Sequence, residues 1–217
     1  MDIEVPSSLK RRKSPQQRRA TATLEAIYEA TIQLLVKDGL SELTTTRVAE
    51  RAGVSVGTLY QYFPNKQALI YAVNEVYLDA LAEKIKTACT ARRGDVMESM
   101  VENLIDTYWQ AKTERADVTR ALYRSVVEMD NEALISAFIA RTDAAAVAMF
   151  ASASDAPSTD PVLVTRVILT VIFGAVRNAF ERAVAGPIDD GLRQQLRIMC
   201  VAYIRAMQLS DPMSLAN

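Results

Sequence analysis

The sequence predicts an all-α protein, and three observations carry that expectation. Helix breakers are scarce, with 7 glycines and 7 prolines among 217 residues, whereas 50% of the chain is hydrophobic. Apolar residues recur at intervals of three and four over most of the length, the period of one helical face. Residues 44–66, TTTRVAERAGVSVGTLYQYFPNK, have the layout of two short helices joined by a tight turn. The length allows one large domain or two small ones around a sizeable core.

A first helix is expected over residues 17–38, with Leu24, Ile27, Tyr28, Thr31, Leu34 and Leu35 on one face and Gly39 as its stop. Thr44 can cap the next helix, which turns Val48, Ala49 and Ala52 to one side. Gly53 stands where the chain must reverse and a left-handed backbone is cheapest for glycine. Val54 then packs into the corner and Ser55 caps a third helix, with Leu59 and Phe63 inward and Val56, Thr58, Tyr60, Gln61 and Tyr62 largely outward. Pro64-Asn65 breaks that helix.

A fourth helix over residues 66–88 is ~35 Å long at 1.5 Å per residue. Asp95 and Glu98 have the spacing of a capping box for a fifth, which lines up Met97, Met100, Val101, Leu104, Ile105 and Tyr108. Helices over residues 116–128 and 131–151 follow. The segment SASDAPSTDP is a loop closed by Pro161 at a helix start. Residues 162–184 and 192–209, separated by Gly186-Pro187, are apolar on nearly every side. Helices of that kind must be covered all round. In a chain this small, they suggest a four-helix interface with a second copy; the alternative is the central core of a monomer.

Charge and composition exclude several function classes. The net charge is −1, yet residues 1–70 hold ten Lys/Arg against seven Asp/Glu and the remainder fifteen against nineteen. The run Lys10-Arg11-Arg12-Lys13, with Arg18 and Arg19 shortly after, suits contact with phosphates, or is a solvated tail. There is no histidine, which removes the commonest general base and most metal sites. No Gly-rich phosphate loop or paired-cysteine motif is present, so neither an enzyme nor a cofactor is expected. Cys89 and Cys200 lack metal-ligand spacing and read as small apolar residues. No stretch of ~18 residues is free of charge and the first 20 have no apolar segment, so neither a membrane span nor a secretory signal is expected.

The outward set of the third helix points to nucleic acid. A helix facing only water would carry Glu, Lys and Gln; this one offers hydroxyls, an amide, a glycine and tyrosines, followed by Lys66. Hydroxyl and amide groups reach phosphates and base edges, Gly57 admits close backbone approach, and Val56 offers an apolar contact for a thymine methyl. These are the requirements of a helix-turn-helix recognition helix. The bland alternative is a structural hairpin whose exposed tyrosines serve nothing.

The same stretch closely resembles the DNA-binding signature of the TetR family of bacterial transcriptional regulators. It is carried here by Thr44-Thr45-Thr46, Val48-Ala49, Ala52-Gly53-Val54-Ser55, Gly57-Thr58-Leu59-Tyr60, Tyr62-Phe63 and Lys66. The resemblance implies a three-helix DNA-binding domain over residues 1–65 and a ligand-binding and dimerisation domain of about six helices over residues 66–217. The last two helices would pair with a second copy. It further implies that Thr45, Thr46, Ser55, Gly57, Thr58, Tyr60, Tyr62 and Lys66 hold double-stranded operator DNA, with Val56, Gln61 and Thr46 discriminating bases.

The resemblance also implies a homodimeric, cytoplasmic repressor that reads a palindromic operator and is released by a small-molecule effector. A pocket between helices needs apolar lining and a few polar anchors. Met97, Met100, Tyr108, Trp109, Tyr123, Met129, Phe138 and Phe173 could supply the lining, or be ordinary core. Arg177 could anchor an anion or pair across the dimer. Without histidine, a ligand site built on histidine and a bound metal is excluded. The rival readings are a helical adaptor and an all-α enzyme without histidine.

Overall fold

The computed structural model describes residues 18–127, 131–183 and 188–209. The basic run at Lys10 to Lys13, Met129 and the Gly186-Pro187 break lie outside these residues, as do the side chains of Arg18 and Arg19. Among the described residues the protein is all-α, with nine helices and no strand: α1 (Arg18–Asp38), α2 (Thr45–Ala52), α3 (Val56–Tyr62), α4 (Lys66–Ala91), α5 (Met97–Thr113), α6 (Ala116–Val127), α7 (Glu132–Phe150), α8 (Pro161–Arg182) and α9 (Asp190–Leu209). They form two compact units, one of residues 1–79 with 115–136 and the other of residues 80–114 with 137–217.

The first unit is built on α1. Gly39 ends that helix at φ 78 and donates its N–H to the Leu35 carbonyl, as its position in the sequence predicts. α1 turns Leu24, Ile27, Leu34 and Leu35 into a core shared with Val48, Ala49, Leu59 and Phe63 of the helix-turn-helix segment and Leu69 and Val73 of α4. α6 closes the same core with Val118 and Leu122. Full burial of side chains such as Leu59 and Phe63 contributes ~1.5–3 kcal/mol each. Behind the apolar core, Asn74 is buried and accepts from the Ser125 hydroxyl at 3.3 Å while its amide meets Asn131 at 3.4 Å.

The second unit is organised around α5, which packs on α8 and α9. Its start corrects the sequence reading. Asp95 and Glu98 do not make a capping box, because Val96 holds the N-cap position with no side-chain bond. The first-turn Met97 N–H instead donates to the Asp155 carboxylate at 2.8 Å, from the loop before α8. That loop ends as expected, with Asp160 capping α8 through the Val162 N–H at 2.9 Å and Pro161 in the first turn.

Along α5, Glu98, Glu102 and Asp106 succeed one another at four-residue steps and face arginines of α9. Asp106 receives Arg193 and Arg197 at 2.8 Å each, and Glu98 receives Arg205 at 2.6 and 2.8 Å. The Arg205 hydrogen bonds hold the Glu98 carboxyl below its usual pKa.

α8 is not covered all round. Val164, Ile168, Ile172, Val176 and Phe180 form its buried stripe, while Val162 and Leu163 stand 45% and 50% exposed, and Ile198 and Met199 of α9 are similarly open. By length and composition α7 and α8 could each cross a membrane. Both carry charged residues along their length, Arg141 and Asp143 on α7 and Arg166 and Arg177 on α8.

Candidate functional site

The helix-turn-helix is set by local chemistry. Thr44, in extended backbone, accepts the Arg47 N–H at 3.3 Å and starts α2. Gly53 takes φ 69 and returns its N–H to the Ala49 and Glu50 carbonyls. The Val54 N–H also bonds to the Ala49 carbonyl, at 3.0 Å, so the turn leaves few backbone groups open. Ser55 then accepts the Thr58 N–H at 3.0 Å and starts α3. Val48, Ala49, Leu59 and Phe63, all fully buried, fix the two helices against α1, where the Tyr28 ring lies 6.0 Å from Phe63.

Two arginines that the sequence reading passed over complete this anchorage. Arg47 pairs with Asp38 and donates to the Glu42 carbonyl at 2.7 Å, and Arg51 Nε donates to Gln33 at 2.7 Å. They tie α2 to α1 and the following loop. Each partner lies between five and eighteen residues away, beyond the reach of a local motif.

The exposed face holds most of the residues expected there. Thr46, Ser55, Gly57, Tyr60 and Gln61 are exposed; Thr45, Thr58 and Lys66 are half-buried. Thr45 and Tyr60, fifteen positions apart, meet through their hydroxyls at 3.1 Å, and Ser55 and Thr58 meet at 2.8 Å. Lys66 donates to the Leu40 carbonyl at 2.9 Å, which holds the start of α4 against the end of α1. The ammonium keeps further N–H donors beyond that bond.

Two of these placements differ from expectation. Tyr62 is not outward: it is buried beside Phe63, its ring 6.3 Å away, because the last residue of α3 turns back over the apolar core. Val56 is half-buried against the same core, so only part of it faces outward.

The residues proposed to line an effector pocket fall into separate places. Tyr108 of α5, Phe173 of α8 and Phe138 of α7 come together, with ring centroids 4.4 Å apart for Tyr108–Phe173 and 5.7 Å for Phe138–Phe173. Met97, Met100 and Trp109 are buried on α5. Tyr123 belongs to the other compact unit, on α6. Arg177 is not a buried anchor: it is half exposed and paired with Glu181 one turn on at 2.8 Å.

Sequence reasoning missed Lys112, which is 2% exposed and sets its ammonium 5.5 Å from the centre of the Tyr108 ring. Burial pushes its pKa down to about 7. The signal was available, since Lys112 follows Val101, Leu104 and Tyr108 on the three–four spacing of the buried stripe. A groove of about 780 Å³ lies elsewhere, between α4 and α5, lined by Ala80, Lys84, Ala88, Thr107, Gln110 and Glu114 among others. None of the expected lining residues borders it. Among the described residues no cluster of His, Cys, Asp and Glu is placed to hold a metal ion.

Comparison with known proteins fits this geometry. Residues 27–73 match the model of bacterial regulatory proteins of the tetR family, and residues 97–204 match that of the tetracyclin repressor-like C-terminal domain. The nucleoid occlusion factor SlmA of Actinobacillus pleuropneumoniae is 30% identical over 111 residues, 51% of this chain and 54% of that protein. The chain thus spans about half the length of such relatives. The transcriptional repressor KstR of Rhodococcus jostii is 30% identical over 166 residues, 76% of this chain and 66% of the relative.

Among solved structures, a TetR family transcription regulator from Marinobacter aquaeolei shares the fold with a TM-score of 0.62 at 19% identity. That alignment covers 84% of this chain and 95% of the regulator. The two family models together take in more than half of the sequence, one over the helix-turn-helix and the other over the helices that follow, and the chain belongs to the TetR family of bacterial regulatory proteins.

Proposed function

We propose that this chain is a ligand-responsive transcriptional repressor that binds a palindromic operator as a homodimer and is released by a small-molecule effector. In this reading residues 1–65 serve the DNA, residues 66–217 serve ligand binding and dimerisation, and the protein works in the cytoplasm.

The observation that carries the DNA-binding part is the exposed face of α3. Gly57 sits there in helical backbone without a positive φ, and a Cβ would meet only the Ser55 hydroxyl, at 3.7 Å. Nothing inside the protein therefore requires a glycine, which weakens a helix relative to alanine. Close approach of a duplex supplies the missing reason. Tyr60, Thr45, Thr46 and Lys66 flank it as phosphate-side donors, and Gln61 stands exposed as a base reader.

Pairing is supported by the apolar side chains that α8 and α9 leave open, Val162, Leu163, Ile198 and Met199. A two-fold pair of recognition helices reads half-sites about 34–36 Å apart. Operator DNA is found by titrating labelled duplexes from upstream of the chain's own gene and following fluorescence anisotropy. Saturable binding to one duplex, with competition by that sequence and not by a scrambled one, is expected. Equal competition by both would remove the regulator reading.

A further inference from the structure

The groove between α4 and α5 lies wholly within the second compact unit. Its walls turn small side chains toward each other, Ala80, Ala88 and Ala91 on α4 and Ala111 on α5. Helices with alanines between them can close to the short end of the usual separation, roughly 8–10 Å. These two instead leave about 780 Å³. That is within the range of small-molecule sites, ~300–1,000 Å³.

The charges on this lining are already matched. Lys84 of α4 meets Glu114, just beyond α5, at 3.0 Å; Arg92 meets Asp95 at 3.3 Å, and Glu83 meets Lys86 at 3.2 Å. Glu83 and Glu114 balance Lys84 and Arg92, so the groove carries no net charge. Its neutral polar groups are uncommitted. Thr87 of α4 and Asn103, Thr107 and Gln110 of α5 line the same space, and among the described residues their side chains bond to no other group. Hydroxyls and carboxamides both donate and accept. They match a ligand whose own groups do both, a polyol, better than an ion or a hydrocarbon. We propose that this groove is the effector site and takes a neutral, hydroxyl-rich molecule of sugar type, its hydroxyl edge on Asn103, Thr107 and Gln110 and a C–H face on Ala88 and Ala111. This rests on the ligand-responsive reading given above.

The full chain is titrated in a calorimeter with glucose, galactose, maltose and lactose. Glucuronate, galacturonate, glucosamine and galactosamine serve as charged counterparts. At least one neutral sugar is expected to saturate a single site, with every charged counterpart weaker than it by about tenfold or more. T107V keeps the side-chain shape without the hydroxyl and should weaken that sugar about fivefold. A111F fills the groove and should abolish saturation.

No saturation by any neutral sugar, a charged counterpart that binds as tightly, or full binding by A111F would overturn it. The comparison of neutral with charged sugars needs no variant and so stands even if A111F folds poorly. Release of operator DNA is measured separately. If the charged sugars release it and the neutral ones do not, effector response stands and this assignment falls. If a neutral sugar binds with the expected preference yet leaves DNA binding unchanged, the binding site stands and the ligand-responsive reading falls.

Discussion

At Gly57 a methyl group would touch only the Ser55 hydroxyl, at 3.7 Å, and would sit in ordinary helical backbone. G57A should therefore raise stability, by about 0.5 kcal/mol, while lowering DNA affinity. Urea unfolding together with anisotropy on one duplex measures both; unchanged affinity would show that the backbone at this point does not approach DNA. Lys112 gives a second residue-scale expectation. Its pKa falls from 10.5 in the unfolded chain to about 7 in the folded one, so between those values the unfolded state holds the extra proton. Stability from this group therefore rises with pH from about 7 towards 10.5. The wild-type chain should gain stability over K112M across that window, and parallel curves for the two would mean that the lysine is not buried as described. The thiols of Cys89 and Cys200 are pushed up by burial to about 11, and reagents that attack thiolates should label them only as the chain opens.

Elements whose ends are set by neighbours in sequence were legible in it: Thr44 and Ser55 as caps, Gly39 and Gly53 as left-handed stops, Pro161 in a first turn. Elements settled by distant partners were not. The start of α5 is held by Asp155, 58 residues away, so the capping-box spacing at Asp95 and Glu98 pointed to the wrong acceptor. Tyr62 was misplaced because a seven-residue helix ends before its periodicity is established, and packing beside Phe63 decides the last side chain. The join of Thr45 to Tyr60 needs the turn angle between α2 and α3, which no single-helix pattern contains. Y60F breaks this join and should weaken every duplex similarly while leaving sequence preference in place. The ladder between α5 and α9 sits at its strongest on Asp106, which two arginines reach in part-buried geometry. D106A should cost about 1 kcal/mol, discounted for the solvent that reaches all three groups, and E98A less, since Arg205 is exposed. Equal costs in denaturant unfolding would show that the ladder is screened throughout.

For the whole molecule, the proposed function requires two copies to pair, because a single helix-turn-helix reads too short a site by itself. Val162, Leu163, Ile198 and Met199 are open to solvent in a single chain. I198E should halve the mass seen by sedimentation and reduce operator affinity by at least about tenfold, because two half-sites are no longer engaged together. A variant that stays dimeric would move the interface off this face. In the proposed function the exposed face of α3 reads a specific duplex through phosphates and bases. The deciding measurement is the affinity of the full chain for an upstream duplex, and for the same duplex scrambled, at roughly 50 and 200 mM salt. Tight binding to the first sequence alone, falling steeply as salt rises, is the predicted result. Affinity that is the same for both duplexes and at both salt concentrations would contradict it.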